Sequence, residues 1–392
     1  MTNTLTLESQ HTSGVYNKRG VVIVRGQGAL LWDDQGREYI DCVGGQGAAN
    51  LGHANPAVAA AIAEQAGQIV SLPEIFPNDK RAGLSARLCE LTGLPRVFLC
   101  NSGTEAVEAA IKFARVSTHR TEVIAAMRSF HGRTFGSLSA TWNKAYREPF
   151  EPLVPGFRHV PYNNLEALSK AVNENTAAVL LEVVQGEGGV YPGSTEYLRG
   201  AEQLCHERGA LLILDEVQTG FGRTGKLFAF QHHDLHPDLL CLAKSIAGGV
   251  PMGATLIGEK LGTLPGHVHG STFGGNPLAC AASLAALSEM ERLDLPQRAA
   301  ENGAYFKEHL QEINSPLIRE VRGLGLLVGV ELKKKSAPYI GGLMKRGVMA
   351  LSAGMNVVRF LPPLVITREQ LDCVVTALAQ VLTEPTSEEA HD

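Results

Sequence analysis

Two charged residues stand at the ends of apolar segments, where each could carry chemistry. Asp215 ends the run ALLILD, and Lys244 ends the run DLLCLAK. A charge at the end of a buried strand is costly unless it meets a partner, so both are site candidates. A lysine in an apolar, glycine-flanked setting can form a Schiff base, and a buried carboxylate can keep a pyridinium nitrogen protonated. Considered alone, Asp215 is also compatible with a helix cap or a salt-bridge partner. Lys244, considered alone, is also compatible with a solvent-exposed residue at the rim of the sheet.

A third candidate is the turn within RVFLCNSGTEAVEAAIKFAR. An apolar strand runs through Asn101 into Ser102, Gly103 and Thr104, and Ser102 and Glu105 have capping-box spacing. The free backbone N–H groups of such a turn suit a phosphate, although an ordinary capped helix explains the same pattern. No nucleotide-binding glycine motif occurs at this turn. A phosphate turn, a carboxylate and an imine-forming lysine are the three anchors that pyridoxal phosphate needs.

The elements that must position these residues are strands alternating with helices. From Arg96 to about Ile257, short apolar runs alternate with segments of helical period. This pattern predicts an α/β fold with a mostly parallel sheet covered on both faces, in which ligands lie at the carboxyl ends of the strands. Both ends of the chain are predicted to form α+β structure outside the central sheet, with a hairpin turn at Asp33 to Gly36. We predict residues 1–55 as the first part of a small domain, 56–275 as a large domain and 276–392 as the rest of the small domain.

Composition and charge exclude several classes of protein. The 392 residues carry a net charge of −5 without a basic run, so the sequence predicts no nucleic-acid partner. The start lacks a signal-peptide pattern and no apolar stretch is long enough to span a membrane, which predicts a cytoplasmic protein without a membrane partner. The seven cysteines are scattered along the chain, so their spacing predicts neither disulfide bonds nor a zinc site. No metal is predicted, because the histidines lack ligand spacing and read as structural or solvated: His131, His232, His233, His236 and His269.

Seven ordered motifs make the chain resemble a known family over about Val24 to Val381. They are NSGTEAVEAAIKFAR, RSFHGRT, VVQGEGG, LLILDEVQTGFGRTG, LAKSIAGGVPMGA, HGSTFGGNPLA and VVRFLPPLVI. The chain resembles the class III pyridoxal-phosphate aminotransferases of the acetylornithine and ornithine aminotransferase family. The resemblance implies fold type I of the pyridoxal-phosphate-dependent transferases, with a central sheet of seven strands and a smaller α+β domain.

The resemblance also implies roles toward the cofactor. Lys244 would hold pyridoxal 5′-phosphate covalently and later move a proton, with Asp215 at the ring nitrogen and Gln218 at the phenolic oxygen. Phe130 would stack on one face of the ring, with Val217 on the other. The residues implied to bind the cofactor are Ser102, Gly103, Thr104, Phe130, Asp215, Glu216, Val217, Gln218, Lys244 and Thr272. The residues implied to be catalytic are Lys244, Asp215 and Glu187.

For the substrate, the resemblance implies that Arg359 binds the α-carboxylate of glutamate. Glu187 would pair with Arg359 when an ω-amine donor occupies the site, which keeps the arginine charge paired throughout. Arg133 would bind the distal carboxylate with Ser271 nearby, and Thr272 would reach the phosphate of a neighbouring subunit in a homodimer. Without the motifs, Arg133 and Arg359 would read as surface arginines and Glu187 as a turn residue.

The N-terminal motifs SGVYNK, VRGQGA and YIDCVGG resemble one branch of this family. That branch acts on lysine precursors attached to an acidic amino-group carrier protein, and converts carrier-bound 2-aminoadipate semialdehyde to carrier-bound lysine with glutamate as donor and 2-oxoglutarate as product. The alternatives are acetylornithine aminotransferase of arginine biosynthesis, or both activities. An aminomutase or a non-enzymatic pyridoxal-binding regulator remains open at this point. Val183 and the stretch Ser245-Ile246-Ala247 depart from the family pattern.

Overall fold

The computed structural model describes residues 3–384, and its central element is a sheet of seven strands. In spatial order the strands are Arg96–Cys100, Gly253–Ile257, Leu239–Leu242, Leu211–Asp215, Thr176–Glu182, Glu122–Ala126 and Phe157–Val160. Four neighbouring pairs are parallel, and only Gly253–Ile257 runs antiparallel to both of its neighbours. The predicted mostly parallel, seven-stranded sheet is confirmed.

Both faces of this sheet are buried, and each carries its own apolar core. Successive side chains of a strand point to opposite faces. Leu212 and Leu214 therefore belong to one cluster of core residues, and Leu211 and Ile213 to another. Helix Gly103–Thr118 contributes its buried face to the second cluster. Burial on both sides is why the strands read as unbroken apolar runs in the sequence.

Three smaller sheets lie outside the central one. The first combines Ile23–Gln27, Leu30–Asp33 and Glu38–Asp41 from the N-terminal region with Val348–Met349 from the C-terminal region. The second contains Ile318–Leu324, Leu327–Leu332, Val357–Phe360 and Leu351–Ala353, and the third is the short hairpin of Val184–Gln185 and Tyr191–Pro192. The expected turn at Asp33 to Gly36 joins two antiparallel strands.

The first of these sheets joins the two chain ends, as the predicted small domain requires. The domain boundaries at residues 55/56 and 275/276 nevertheless stay a prediction. Residues 1–2 of the first predicted unit and 385–392 of the last lie outside the described residues.

Two helices of the C-terminal region begin at polar caps. Asn276 caps the helix Pro277–Arg292, and Thr367 forms a capping box with Gln370 at the start of Arg368–Thr383. The α-helices are Thr4–His11, Gly44–Gly47, Pro56–Ala66, Asp79–Thr92, Gly103–Thr118, Phe135–Ala140, Lys144–Arg147, Leu165–Ala171, Thr195–Arg208, Pro277–Arg292, Leu295–Gln311, Ala337–Lys345 and Arg368–Thr383. Short 3₁₀ helices are Glu148–Phe150, Ala229–His232, Lys244–Ala247 and Glu259–Leu261. Across residues 3–384, none of the helices has the length and apolar character needed to cross a bilayer.

Candidate active site

A cavity of about 530 Å³ lies where the central strands end, at the edge where ligands bind in sheets of this kind. Most of the residues predicted for the cofactor and substrate line it: Ser102, Gly103, Thr104, Phe130, Arg133, Glu187, Asp215, Val217, Gln218 and Lys244. These residues come from segments more than 140 positions apart in the chain, so the fold brings the predicted set together.

Lys244 lies in a short 3₁₀ turn just after the strand Leu239–Leu242. Its backbone is left-handed (φ +49°), which is uncommon for a residue with a side chain and is typical of functional sites. Ser245, next in the chain, fixes this turn by donating a hydrogen bond from its hydroxyl to the Gly47 carbonyl (2.9 Å). Ser245, the first residue of the stretch that departs from the family pattern, thus links this turn to Gly47.

The Lys244 amine is poised to act as a nucleophile. Within residues 3–384 its side chain makes no hydrogen bond or ion pair. Burial lowers its pKa, with a further lowering from Arg359 that Glu187 and Asp215 oppose. A lysine with a lowered pKa spends more time as the neutral amine, which is the form that attacks a carbonyl.

Asp215 is the last residue of its strand, and two donors hold its carboxylate. Oδ1 accepts a hydrogen bond from the Val217 backbone N–H (3.0 Å), and Oδ2 lies 2.7 Å from Nδ1 of His131. Both side chains are buried. Since a carboxylate only accepts, His131 donates from Nδ1, and its Nε2 atom has no partner in the described part of the chain. His131 thus belongs to the site, a role that sequence reasoning missed.

Glu182 adds a second carboxylate beside Asp215. It ends the neighbouring strand and is the register partner of Asp215 in the sheet. Its two oxygens accept hydrogen bonds from the backbone N–H groups of Phe130 and Gly186, both at 3.2 Å. Burial raises the pKa of Glu182 to about 7. Sequence analysis did not select this residue, although it lines the cavity.

The predicted phosphate turn has the expected form. The Ser102 hydroxyl caps helix Gly103–Thr118 by accepting a hydrogen bond from the Glu105 backbone N–H (3.3 Å). The N–H groups of Gly103 and Thr104 have no partner within the helix, and both residues line the cavity. The Glu105 carboxylate accepts a hydrogen bond from the backbone N–H of Asn101, and not from that of the cap residue Ser102 as in a capping box. A Cβ atom at Gly103 would lie 2.7 Å from a Val217 methyl, so only glycine allows this close contact.

Arg359 and Glu187 form the predicted ion pair. Arg359 is 2% exposed, on the strand Val357–Phe360, and Glu187 sits in the loop of the hairpin Val184–Gln185/Tyr191–Pro192. Nη2 of Arg359 lies 2.7 Å from Oε1 of Glu187, and Nη1 donates to Oε1 of Gln218 (3.2 Å). This contact leaves the Gln218 amide nitrogen as a donor toward the cavity.

Arg133 provides a second cation at the cavity. Its guanidinium lies 3.5 Å from the Tyr146 ring centroid and 5.7 Å from that of Phe130. The side chain is exposed and has no carboxylate partner among residues 3–384. An aromatic-supported, unpaired arginine suits the carboxylate of a substrate.

Four predicted residues do not line the cavity, namely Glu216, Ser271, Thr272 and Arg359, and Arg359 reaches it only through its contacts with Glu187 and Gln218. The Glu216 carboxylate instead accepts hydrogen bonds from the backbone N–H groups of Ala229 (2.7 Å) and Phe230 (2.6 Å), because the start of the 3₁₀ helix Ala229–His232 needs a cap. Burial raises the pKa of Glu216 to about 7. The Glu216 side chain thus points away from the cavity, and the predicted contact of this residue with the cofactor stays a prediction. Ser271 lies one hydrogen bond away from the cavity, since its hydroxyl accepts from the Asn101 amide (3.1 Å), and Thr272 is exposed.

The arrangement fits pyridoxal phosphate. An amine without a partner, a buried carboxylate held by an imidazole, a glycine-lined helix N-terminus and a valine wall meet in one cavity. These supply the four contacts that the cofactor needs, namely a covalent anchor, a partner for its ring nitrogen, a phosphate site and an apolar surface for its ring.

Comparisons with known proteins agree with this reading. Residues 13–382 match the family model described as aminotransferase class III. The chain is 53% identical, over 96% of its length and 90% of the relative's, to the [LysW]-aminoadipate semialdehyde transaminase of Deinococcus radiodurans. It is 41% identical, over 97% of its length and 98% of the relative's, to the acetylornithine aminotransferase of Methanocaldococcus jannaschii.

Solved structures of similar chains share the fold. An ornithine aminotransferase from Toxoplasma gondii superposes with a TM-score of 0.94 at 35% identity, covering 99% of this chain and 95% of that one. The description of that structure reports partial occupancy of PLP at the active site. The acetylornithine aminotransferase of Elizabethkingia anophelis superposes with a TM-score of 0.86 at 34% identity, covering 96% of this chain and 97% of that one.

Proposed function

Because this chain belongs to the class III aminotransferases, which are pyridoxal-phosphate-dependent enzymes, we propose that it acts on a substrate attached to a carrier protein. It would move the amino group between glutamate and the terminal semialdehyde of carrier-bound 2-aminoadipate, giving 2-oxoglutarate and carrier-bound lysine for lysine biosynthesis. The observation that carries this proposal is the 53% identity, over 96% of the chain, with a relative named for that activity.

The residues of the cavity would divide the work as follows. When bound, pyridoxal phosphate supplies an aldehyde that takes up the amino group and a ring that withdraws electrons from the substrate carbon. Lys244 would hold the aldehyde carbon, and its released amine would move the proton at the substrate carbon. Asp215, held by His131, would keep a proton on the ring nitrogen. The backbone N–H groups of Gly103 and Thr104 would bind the phosphate.

The two half-reactions require different partners for Arg359. With glutamate, Arg359 would leave Glu187 and take the α-carboxylate of the substrate. With the ω-amine, which brings no carboxylate to that position, Arg359 would stay paired with Glu187 at 2.7 Å. A buried arginine without an anion is costly, so the exchange keeps its charge paired in both states.

We further propose that the enzyme works as a homodimer. Arg81, itself buried, donates hydrogen bonds to the carbonyls of Phe76 (3.0 Å) and Gly275 (2.7 Å) and so ties two loops together. These loops expose large apolar side chains, namely Ile75 (81%), Phe76 (56%) and Phe273 (60%). Exposed apolar patches of this kind are typical of protein interfaces. Thr272, the residue predicted to reach the other subunit's phosphate, adjoins this patch.

The rival function is acetylornithine aminotransferase, since several relatives have that name. Parallel turnover of carrier-linked lysine and free N-acetylornithine, each with 2-oxoglutarate as acceptor, decides between them. We expect kcat/KM to be at least about tenfold higher for the carrier-linked amine, a difference of about 1.4 kcal/mol. Equal or reversed values would favour the arginine pathway or a bifunctional enzyme.

A further inference from the structure

A second cavity adjoins the active-site cavity. It has a volume of about 560 Å³ and shares Phe130 and Glu187 with the active-site cavity. Aromatic side chains form much of its wall, namely Trp142, Tyr146 and Tyr191. Tyr146 also supports Arg133, so the two cavities meet at the cation predicted to bind the distal carboxylate of the substrate.

The acidic groups of this second cavity are already neutralised. Glu331 accepts hydrogen bonds from Arg319 (2.9 Å), Arg322 (2.6 Å) and the Tyr191 hydroxyl (3.2 Å). Glu187 is paired with Arg359. Among the described residues of this wall, no carboxylate is therefore left to pair with a further cation.

Arg128 is the cationic residue of this wall that has no acidic partner within residues 3–384. Its side chain is exposed, and within residues 3–384 it forms no ion pair or hydrogen bond. The guanidinium lies over the Tyr191 ring, 4.9 Å from its centroid. The backbone of Arg128 is left-handed (φ +66°), and its carbonyl packs so closely on Gly188 that a Cβ atom there would clash. Close packing against the loop that carries Glu187 thus holds the backbone of this unpaired arginine at the cavity wall.

We propose that this second cavity receives the acidic peptide that presents the substrate, and that Arg128 binds a carboxylate of that peptide. The inference rests on the proposed function. A small acylated ω-amine carries one carboxylate, which Arg133 can take, whereas a peptide-linked substrate extends beyond the first cavity and brings further carboxylates. An arginine fork without an internal partner matches a carboxylate in two parallel hydrogen bonds.

The test compares Arg128→Gln with the unchanged enzyme, both as holoenzyme. We expect KM for carrier-linked lysine to rise about tenfold relative to KM for free N-acetylornithine, because one charge-assisted contact is lost only with the peptide substrate. The dissociation constant of the lysine-loaded carrier protein, measured by calorimetry, should rise by a similar factor. Arg128→Lys keeps the charge but loses the fork of the guanidinium, so both values should rise less than they do in Arg128→Gln.

Arg298→Gln is the matched control, since Arg298 is an exposed arginine that lines neither cavity. An equal loss in this control, or in Arg128→Lys, would overturn the assignment of Arg128. Unchanged values in Arg128→Gln would overturn it as well, while leaving the proposed function intact. If the unchanged enzyme fails to use carrier-linked lysine at all, the proposed function fails, and this inference fails with it.

Discussion

Nδ1 of His131 lies 2.7 Å from Oδ2 of Asp215, and both side chains are buried at the carboxyl edge of the central sheet. The Val217 N–H holds the other oxygen of the same carboxylate at 3.0 Å. Two donors thus hold this carboxylate in one orientation. We therefore expect His131 to be a positioning residue, which acts on the cofactor through Asp215.

Removing that donor should weaken catalysis without releasing the cofactor. We expect His131→Phe to lower kcat by about 10- to 100-fold, the value of one charge-assisted hydrogen bond. Steady-state kinetics measure this loss, and the absorbance of the cofactor shows whether it stays bound.

His131→Asn separates positioning from packing, since its amide nitrogen can take the place of Nδ1. This variant should keep most of the kcat of the unchanged enzyme. Equal losses of kcat in the two variants would show that His131 only fills space.

Glu187→Gln should separate the two half-reactions. Without the anion, Arg359 is free for the α-carboxylate of glutamate but has no partner when the ω-amine is bound. We expect the glutamate half-reaction to keep or lower its KM and the ω-amine half-reaction to lose about 10- to 100-fold in kcat/KM. Single-turnover absorbance of the cofactor follows each half-reaction alone.

Glu320→Gln serves as the control for that experiment, because Glu320 is an exposed glutamate that also pairs with an arginine. It should affect neither half-reaction. Parallel losses in both half-reactions of Glu187→Gln would contradict the exchange of partners by Arg359.

Glu216 should make stability depend on pH. Its pKa is raised from 4.5 to about 7 by burial, so the folded chain binds more protons than the unfolded chain between these values. The free energy of unfolding should therefore fall as pH rises from 4.5 to 7, by about 3 kcal/mol from this group. Thermal melting of Glu216→Gln across that range should show a weaker fall than the unchanged protein, whereas parallel pH slopes would refute this account.

The exposed apolar patch predicts the effect of a charge at Phe273. Phe273→Asp should shift the protein toward monomers and reduce activity at low protein concentration, because a charge is costly in a buried interface. Sedimentation velocity and activity as a function of concentration measure this. Phe150→Asp places the same charge at another exposed phenylalanine and should leave the assembly unchanged. A Phe273→Asp variant that sediments like the unchanged protein would rule out this surface as the interface.

Much of the fold could be predicted because strands buried on both faces and helices with polar caps leave local signals. The helix starts at Ser102 and at Thr367 follow from the types of a few adjacent residues. The antiparallel direction of Gly253–Ile257 could not be predicted, since an apolar run does not encode the direction of its neighbours.

The site was harder to predict where contacts join distant segments. His131 reaches Asp215 across 84 positions of sequence, and nothing near either residue indicates the contact. Glu182 could have been found, because it is a carboxylate at the end of an apolar run, the same signal that selected Asp215. The hydrogen bonds of Glu216 could not be predicted, because adjacent residues after a strand point in opposite directions and its carboxylate faces a helix start instead of the cavity.

The central claim is that Lys244 holds the cofactor. Borohydride reduction of the holoenzyme followed by peptide mass spectrometry tests it directly, because reduction turns the labile bond between lysine and aldehyde into a stable one. We expect the phosphopyridoxyl label on the peptide that contains Lys244. A label on another lysine, or an unlabelled Lys244 peptide from cofactor-loaded protein, would contradict the account.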